Sequence, residues 1–270
     1  MKVTIVVDNI EHAGIPGEWG FCAYIEQNGK KLLLDTGASN LFAENAEKLN
    51  IDLKDIDFAV LSHAHYDHAN GMEKFFEINR KAPFYLQEGC GENCYFKKGF
   101  IRKYIGIPKG ITKKYQDRIE YVSGVYTVAD GIYLVSHSTP HLEQIGKKEM
   151  MYQKTKLGWK PDNFCHEQSL VLDTDGGLVI FNSCSHGGVV NIINEVKAAF
   201  PNKKITALIG GFHIFKHPEA EIRELAKLIQ ETGIERIYTG HCSKERGYRI
   251  LREELGDMAG QFYVGMELVF

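Results

Sequence analysis

Six consecutive residues, His63-Ala64-His65-Tyr66-Asp67-His68, place three imidazoles and a carboxylate directly after the apolar run Phe58-Ala59-Val60-Leu61. No packing requirement asks for such a cluster. Imidazole is a frequent ligand of zinc and iron, and a carboxylate supplies the hard oxygen that completes a site of that kind. His63 and His65 alternate as on an extended segment and can converge on one ion. Asp67 and His68 turn toward the next element and suit a second ion about 3.5–4 Å away. The stretch reads as metal-binding, at a strand's carboxyl end where α/β proteins place their sites.

The rest of the chain supplies elements that can carry such an edge. Val3 to Val7 reads as a strand, and Phe21–Ile25 and Lys31–Leu34 flank Asn28-Gly29, a hairpin turn because both residues tolerate positive φ. Leu41, Phe42, Ala46 and Leu49 have helical spacing, with Ser39 or Asn40 as N-cap. A helix with Met72, Phe75 and Phe76 on one face and a strand at 82–86 follow the histidine cluster. Further hairpins form around Asp130-Gly131 and Asp175-Gly176-Gly177. Helix faces then recur at Val189/Ile193/Val196, at Ile222/Leu225/Ile229 and at Tyr248/Leu251/Leu255, separated by short buried strands at 205–209 and 236–239. Hairpins first and strand-helix units after, in each half, predict an α/β (α+β) fold of two packed sheets with helices outside.

The six-residue cluster resembles the HxHxDH signature of the metallo-β-lactamase superfamily. The resemblance implies its four-layer αββα sandwich and a divalent metal centre. It also identifies Asp35, in Leu34-Asp35-Thr36-Gly37, as similar to the superfamily aspartate that supports the metal loop by hydrogen bonding without binding metal. A dinuclear hydrolytic site needs more ligands, and three other strand ends offer a histidine: Asn182-Ser183-Cys184-Ser185-His186, Gly210-Gly211-Phe212-His213 and Gly240-His241-Cys242. His241 matches the superfamily's last histidine. Where most members have Gly-Asp, with the aspartate bridging both ions, this chain has Ser183-Cys184, so either Cys184 bridges as a thiolate or His186 serves with a solvent bridge. His137 and His141, in Ser136-His137-Ser138-Thr139-Pro140-His141, are rival ligands. The Ser-Cys-Ser-His, Gly-Gly-Phe-His and Gly-His-Cys set resembles a narrower branch, related to the synthase of 7,8-dihydropterin-6-methyl-4-(β-D-ribofuranosyl)aminobenzene 5′-phosphate. In that branch, as the resemblance implies, ligation falls on His186. The expected ligands are thus His63, His65, Asp67, His68, Cys184, His186 and His241. Asp67 is also a catalytic candidate, beside His213 as a substrate-facing acid or oxyanion partner.

Between Lys97 and Arg118 stand eight Lys or Arg and the single acid Asp117, in a chain whose net charge is −3. We expect one domain over 1–270 with an insertion or small subdomain at about 88–120, lying over the site. The run is either a solvated face or an anion-binding surface; as the latter, its cations would gather an anionic substrate, its Phe100, Tyr104 and Tyr115 would stack a ring, and the helix start near Gly187-Gly188 would offer N–H groups to a phosphate. No apolar run approaches the roughly 20 residues of a membrane span, and the run at Val3 to Val7 is too short for a secretory h-region, so a cytoplasmic protein is expected. The six scattered cysteines form no Cys-x-x-Cys pair and read as reduced thiols, Cys90 and Cys94 included.

These features point to a hydrolase that uses a metal-bound hydroxide on a small phosphorylated, pterin-like anion, with two divalent ions. Zinc is the first expectation, and the ligand chemistry also admits iron or manganese. One alternative is a redox metalloprotein. Superfamily oxygen reductases place Glu where this chain has His65, and they carry a flavin domain for which no residues remain. The other is a nuclease or RNA-processing enzyme, disfavoured by the acidic remainder of the chain. A homo-oligomer remains open.

Overall fold

A computed structural model describes all 270 residues. Lys2–Val7, Cys22–Gln27 and Lys30–Leu34 form an antiparallel meander whose Asn28-Gly29 turn takes φ of 50° and 73°. The left-handed conformation required by a two-residue hairpin is thus carried by residues that adopt it at little cost. Phe58–Val60, Phe84–Gln87 and Ile119–Val122 extend this sheet in parallel, and Glu267–Val269 closes its other edge, giving seven strands. A second seven-stranded sheet runs from Val125–Ala129 through Ile132–Ser136, Gln168–Thr174, Gly177–Phe181, Ile205–Ile209 and Arg236–Thr239 to Ala259–Gln261. Its last four strands are parallel.

The two sheets meet over an apolar interior that includes Ile5, Phe21, Ile25, Leu134, Leu170, Phe181 and Phe262. Helices Leu41–Lys48 and Met72–Ile78 bury Phe42, Ala46, Met72, Phe75 and Phe76 against the first sheet's outer face. Helices Val189–Ala199, Glu219–Glu231 and Lys244–Leu255 cover the second sheet through Ile192, Ile193, Ile222, Ile229 and Leu251. The result is the expected four-layer αββα sandwich. No helix is long and apolar enough to cross a membrane.

A third sheet was not expected from the sequence. Cys94–Lys98 and Ile101–Tyr104 pair with each other, and Cys94–Lys98 also pairs with Met151–Thr155, itself paired to Gly158–Pro161. The segment at 88–120 therefore divides. Its first half joins residues 151–161 in this sheet, while Ile107 and Ile111 pack into the core beneath the first sheet. Backbone bonds tie the two halves to the histidine loop, with Tyr66 N–H donating to Ile105 O at 2.9 Å and Ile105 N–H to Cys94 O at 3.0 Å.

Leu134→Ala, at the centre of the inter-sheet interior, is expected to cost about 2–5 kcal/mol. Leu157→Ala, on the fully exposed turn at 156–157, should cost under about 0.5 kcal/mol. Urea unfolding of both variants checks the placement of the core.

Candidate metal centre

Strand ends converge on one edge of the sandwich. Phe58–Val60 leads into His63–His68, Gly177–Phe181 into Cys184 and His186, Ile205–Ile209 into His213, and Arg236–Thr239 into His241. Lys2–Val7 and Lys30–Leu34 deliver Asp8 and Asp35 to the same edge. One ring nitrogen from each of His63, His65 and His186 lie within 4.8 Å of one another, and His65 Nδ1 is 3.1 Å from His186 Nε2. Asp67 Oδ2 lies 3.6 Å from His241 Nε2 and 3.9 Å from His68 Nε2. Cys184 Sγ stands between these two groups. It is 3.3 Å from His68 Nε2, and it also clusters with His63, with His186 and with His241.

Fully buried Asp35 aims two of these rings. It accepts the Ser62 N–H and O–H, both at 2.7 Å, and bonds His68 Nδ1 at 2.7 Å. The Ser62 hydroxyl, its proton spent on Asp35, accepts from His63 Nδ1 at 2.9 Å. Protons fixed on both Nδ1 atoms turn the Nε2 lone pairs inward. His241 is held in the same manner from the first strand: Asp8 accepts its backbone N–H at 2.7 Å and Asn9 Oδ1 bonds its Nδ1 at 3.2 Å.

The electrostatics favour metal-ready rings. Burial, reinforced by the neighbouring imidazoles, pushes His63, His65, His186 and His241 well below the ordinary imidazole range, leaving them neutral. His68 goes the other way, because Asp35 and Asp67 outweigh its burial. Asp8 is pushed up to about 7, chiefly by burial. His63 Nε2 and His241 Nε2 are buried without a partner in the chain. Such atoms are costly unless a cation takes their lone pairs, and a convergent set of neutral imidazoles, a carboxylate and a thiol suits zinc or iron.

His137 and His141 lie elsewhere. His137 is clamped between Glu167 Oε2 at 2.5 Å and Glu195 Oε2 at 2.8 Å, and the His141 side chain is exposed. Glu167 also accepts the backbone N–H groups of His186 and Gly187, at 2.9 and 2.8 Å. The expectation that the helix start near Gly187-Gly188 offers N–H groups to a phosphate is corrected accordingly, since a buried carboxylate has taken the two that precede Gly188.

A cleft of about 360 Å³ opens over the centre and includes His65, Asp67, Cys184, His186 and His213 in its lining. Its aromatic lining is Trp19, Tyr66, Phe96 and Phe215, and its cations are Lys103 and Lys216. The sequence-expected stackers are elsewhere. Phe100 projects into solvent from a hairpin tip, Tyr115 stacks on Phe76 at 4.3 Å, and Tyr104 donates to Ile107 O. Of the basic segment, Lys103 reaches the cleft, whereas Lys97 and Arg102 lie over Trp159 and Lys114 pairs with Glu73. Lys216, and Lys244 over Trp19 and Phe215, arrive from the opposite half of the chain. Sequence reading passed over them, and over Asp8 and Asn9, because isolated Lys, Asp or Asn residues have no spacing to betray them, and it placed Cys242 beside His241 without giving it a role.

Residues 19–146 match the family described as the metallo-β-lactamase superfamily. The chain is 28% identical to the 7,8-dihydropterin-6-methyl-4-(beta-D-ribofuranosyl)-aminobenzene-5'-phosphate synthase of Methanocaldococcus jannaschii, over 93% of this chain and 88% of that one. Among solved structures it resembles Tm1679, described as a metal-dependent hydrolase of the β-lactamase superfamily. That match has a TM-score of 0.85 and 26% identity, over 100% of this chain and 99% of the other. Zn(2+)-bound PqqB from Methylobacterium extorquens shares the fold at a TM-score of 0.59 and 13% identity, with 100% of each chain covered.

Asp35→Asn keeps the shape of the carboxylate but gives up its charge and one acceptor, so metal affinity should fall by roughly 10–100-fold. Competition against a chelator measures this, and unchanged affinity would remove Asp35 from the support of the centre. A second expectation concerns pH. His137 is raised to about 10, its burial outweighed by Glu167 and Glu195. Its stabilising contribution is complete below the unfolded value of roughly 6.5 and is lost as pH rises through about 10. Urea midpoints of wild type should fall across that window more than those of His137→Gln.

Proposed function

We propose that this chain, whose residues 19–146 belong to the metallo-β-lactamase superfamily and whose whole length carries that fold, is a metal-dependent hydrolase. Its substrate is a small, ring-bearing, phosphorylated anion. The observation that carries the reading is the juxtaposition of the imidazole-carboxylate-thiol floor with a cleft walled by Trp19, Phe96 and Phe215 and edged by Lys103 and Lys216. His63, His65 and His186 would hold one ion, and Asp67, His68 and His241 the other, with Cys184 between them. Two divalent ions, zinc first among the candidates, would supply water activation near neutral pH and stabilisation of developing negative charge on oxygen.

The chain's own residues do the rest. The aromatic rings at 19, 96 and 215 give a planar ring an apolar wall to pack against and exclude water. The ammonium groups of Lys103, Lys216 and Lys244 gather and orient the phosphate. Stacked as they are over Tyr66, Phe215 and Trp19, at 5.9, 4.8 and 5.2 Å, they are held at the rim. His213 lines the cleft beside His186, its Nδ1 buried without a partner, and serves as proton donor or oxyanion partner. Similarity to the Methanocaldococcus jannaschii synthase supports a phosphorylated, pterin-like ligand. That protein's name describes a synthase, so the ligand class is taken from it and the reaction from the site.

The test combines metal analysis with a panel of phosphodiesters, phosphomonoesters, thioesters and lactones. His63→Ala and His65→Ala should each lose most bound metal and all turnover. For anionic substrates kcat/KM should fall as the Debye length shortens from roughly 10 Å at 0.1 M salt to about 3 Å at 1 M. Changing Lys103, Lys216 and Lys244 to Gln should flatten that dependence. Equal salt responses of neutral and anionic substrates would reject the phosphate preference, and full metal occupancy in the histidine variants would reject the ligand set.

A further inference from the structure

Two sulfurs meet at the centre, and only one of them stands where a bridging ligand is expected. Cys242, which follows His241, is fully buried, and its Sγ lies 3.4 Å from Cys184 Sγ. Cys184, Cys242 and one ring nitrogen of His241 fall within 4.8 Å of one another. Both residues border the floor of the cleft. Cys242 Sγ accepts the backbone N–H of His213 at 3.2 Å, the arrangement that stabilises a thiolate. Beside the pair, His241 Nε2 is one of the buried nitrogens that lack a hydrogen-bond partner in the chain.

The backbone makes room for this contact. A Cβ on Gly211 would lie 2.4 Å from Cys242 Sγ and 2.8 Å from Ser183 O, and one on Gly210 would lie 1.8 Å from Asn182 O. The Gly210-Gly211 pair thus lets the end of the 205–209 strand pass between the loops that carry the two sulfurs. Sulfurs sharing one tetrahedral zinc at ~2.3 Å stand roughly 3.8 Å apart, so a pair at 3.4 Å needs to open by only a few tenths of an ångström to share an ion.

We propose that Cys242 is a second sulfur donor of the metal centre, so that the ion at Asp67, His68 and His241 is enclosed by protein ligands, Cys184 and Cys242 among them. This rests on the ligand set proposed above and deepens it. An enclosed ion has the character of a structural site, whereas an ion with three protein ligands retains a place for water. The two halves of the centre therefore divide their labour. The His63, His65 and His186 side would hold the ion that supplies water activation, while the sulfur-bound side would fix the geometry of the floor.

The experiment is zinc-edge X-ray absorption on the wild-type protein, alongside near-ultraviolet spectra of cobalt(II)-exchanged wild type, Cys242→Ser, Cys184→Ser and the double variant. With Cys184 bridging and Cys242 terminal, three zinc–sulfur bonds per pair of zinc ions are expected, against two from a bridging Cys184 alone. Cys242→Ser should lose about a third of the thiolate-to-cobalt charge-transfer absorption and the double variant all of it, the other four cysteines being intact throughout. No more than two zinc–sulfur bonds per pair of zinc ions, with a Cys242→Ser spectrum like wild type, overturns the inference and leaves the hydrolase reading standing. Absence of bound metal from the wild type overturns both. The wild-type absorption result stands even if a variant misfolds.

Discussion

Imidazole nitrogens that have nothing in the chain to bond to are buried here in quantity, and the structure is built to bear that constraint. The set comprises His63 Nε2, His65 Nε2, His186 Nδ1, His213 Nδ1 and His241 Nε2. Each unsatisfied buried polar atom costs about 1–3 kcal/mol, and rings with inward lone pairs also repel one another. A loop alone would relax outward. What prevents this is a set of buried polar anchors, each bonded several times over: Asp35 under His63 and His68, Asp8 and Asn9 under His241, and Glu167 under the His186 backbone. The inter-sheet core supplies the stability that offsets the strain of the site.

The last of these anchors reaches farthest. Glu167 precedes one strand of the second sheet, His137 follows another, and Glu195 lies on the helix behind them. His137 bonds both carboxylates, while Glu195 also accepts the N–H groups of Ser138 and Thr139. A buried cation between two carboxylates thus locks the helix to the sheet at the point where His186 leaves it. The Ser138–Thr139 loop, though shaped like a ligand loop, works as a fastening.

What could be read from the sequence follows from how local its causes are. The hairpin at Asn28-Gly29 and the helix faces at 41–49 and 189–199 are set by turn chemistry and spacing within a few residues, so the αββα order was legible. So was the histidine cluster, because four ligand types in six positions have no packing explanation. The third sheet was not legible, since Cys94–Lys98 and Met151–Thr155 pair across a long stretch of chain and neither alternates cleanly between apolar and polar. The basic run misled for a related reason. Successive strand residues point to opposite faces, so Arg102 goes to Trp159 and Lys103 to the cleft. A linear charge run became two different surfaces.

The third sheet also gives the protein two separately encoded surfaces. The floor of the cleft comes from the ends of sandwich strands, whereas Phe96, Lys103 and Met151 in its wall come from the added sheet. The two are joined near the histidines by backbone bonds such as Tyr66 to Ile105, which do not depend on side-chain identity. Selection for a new substrate can therefore act in part on a stretch of chain that holds none of the expected metal ligands. That side of the wall can diverge between descendants while the floor is inherited unchanged.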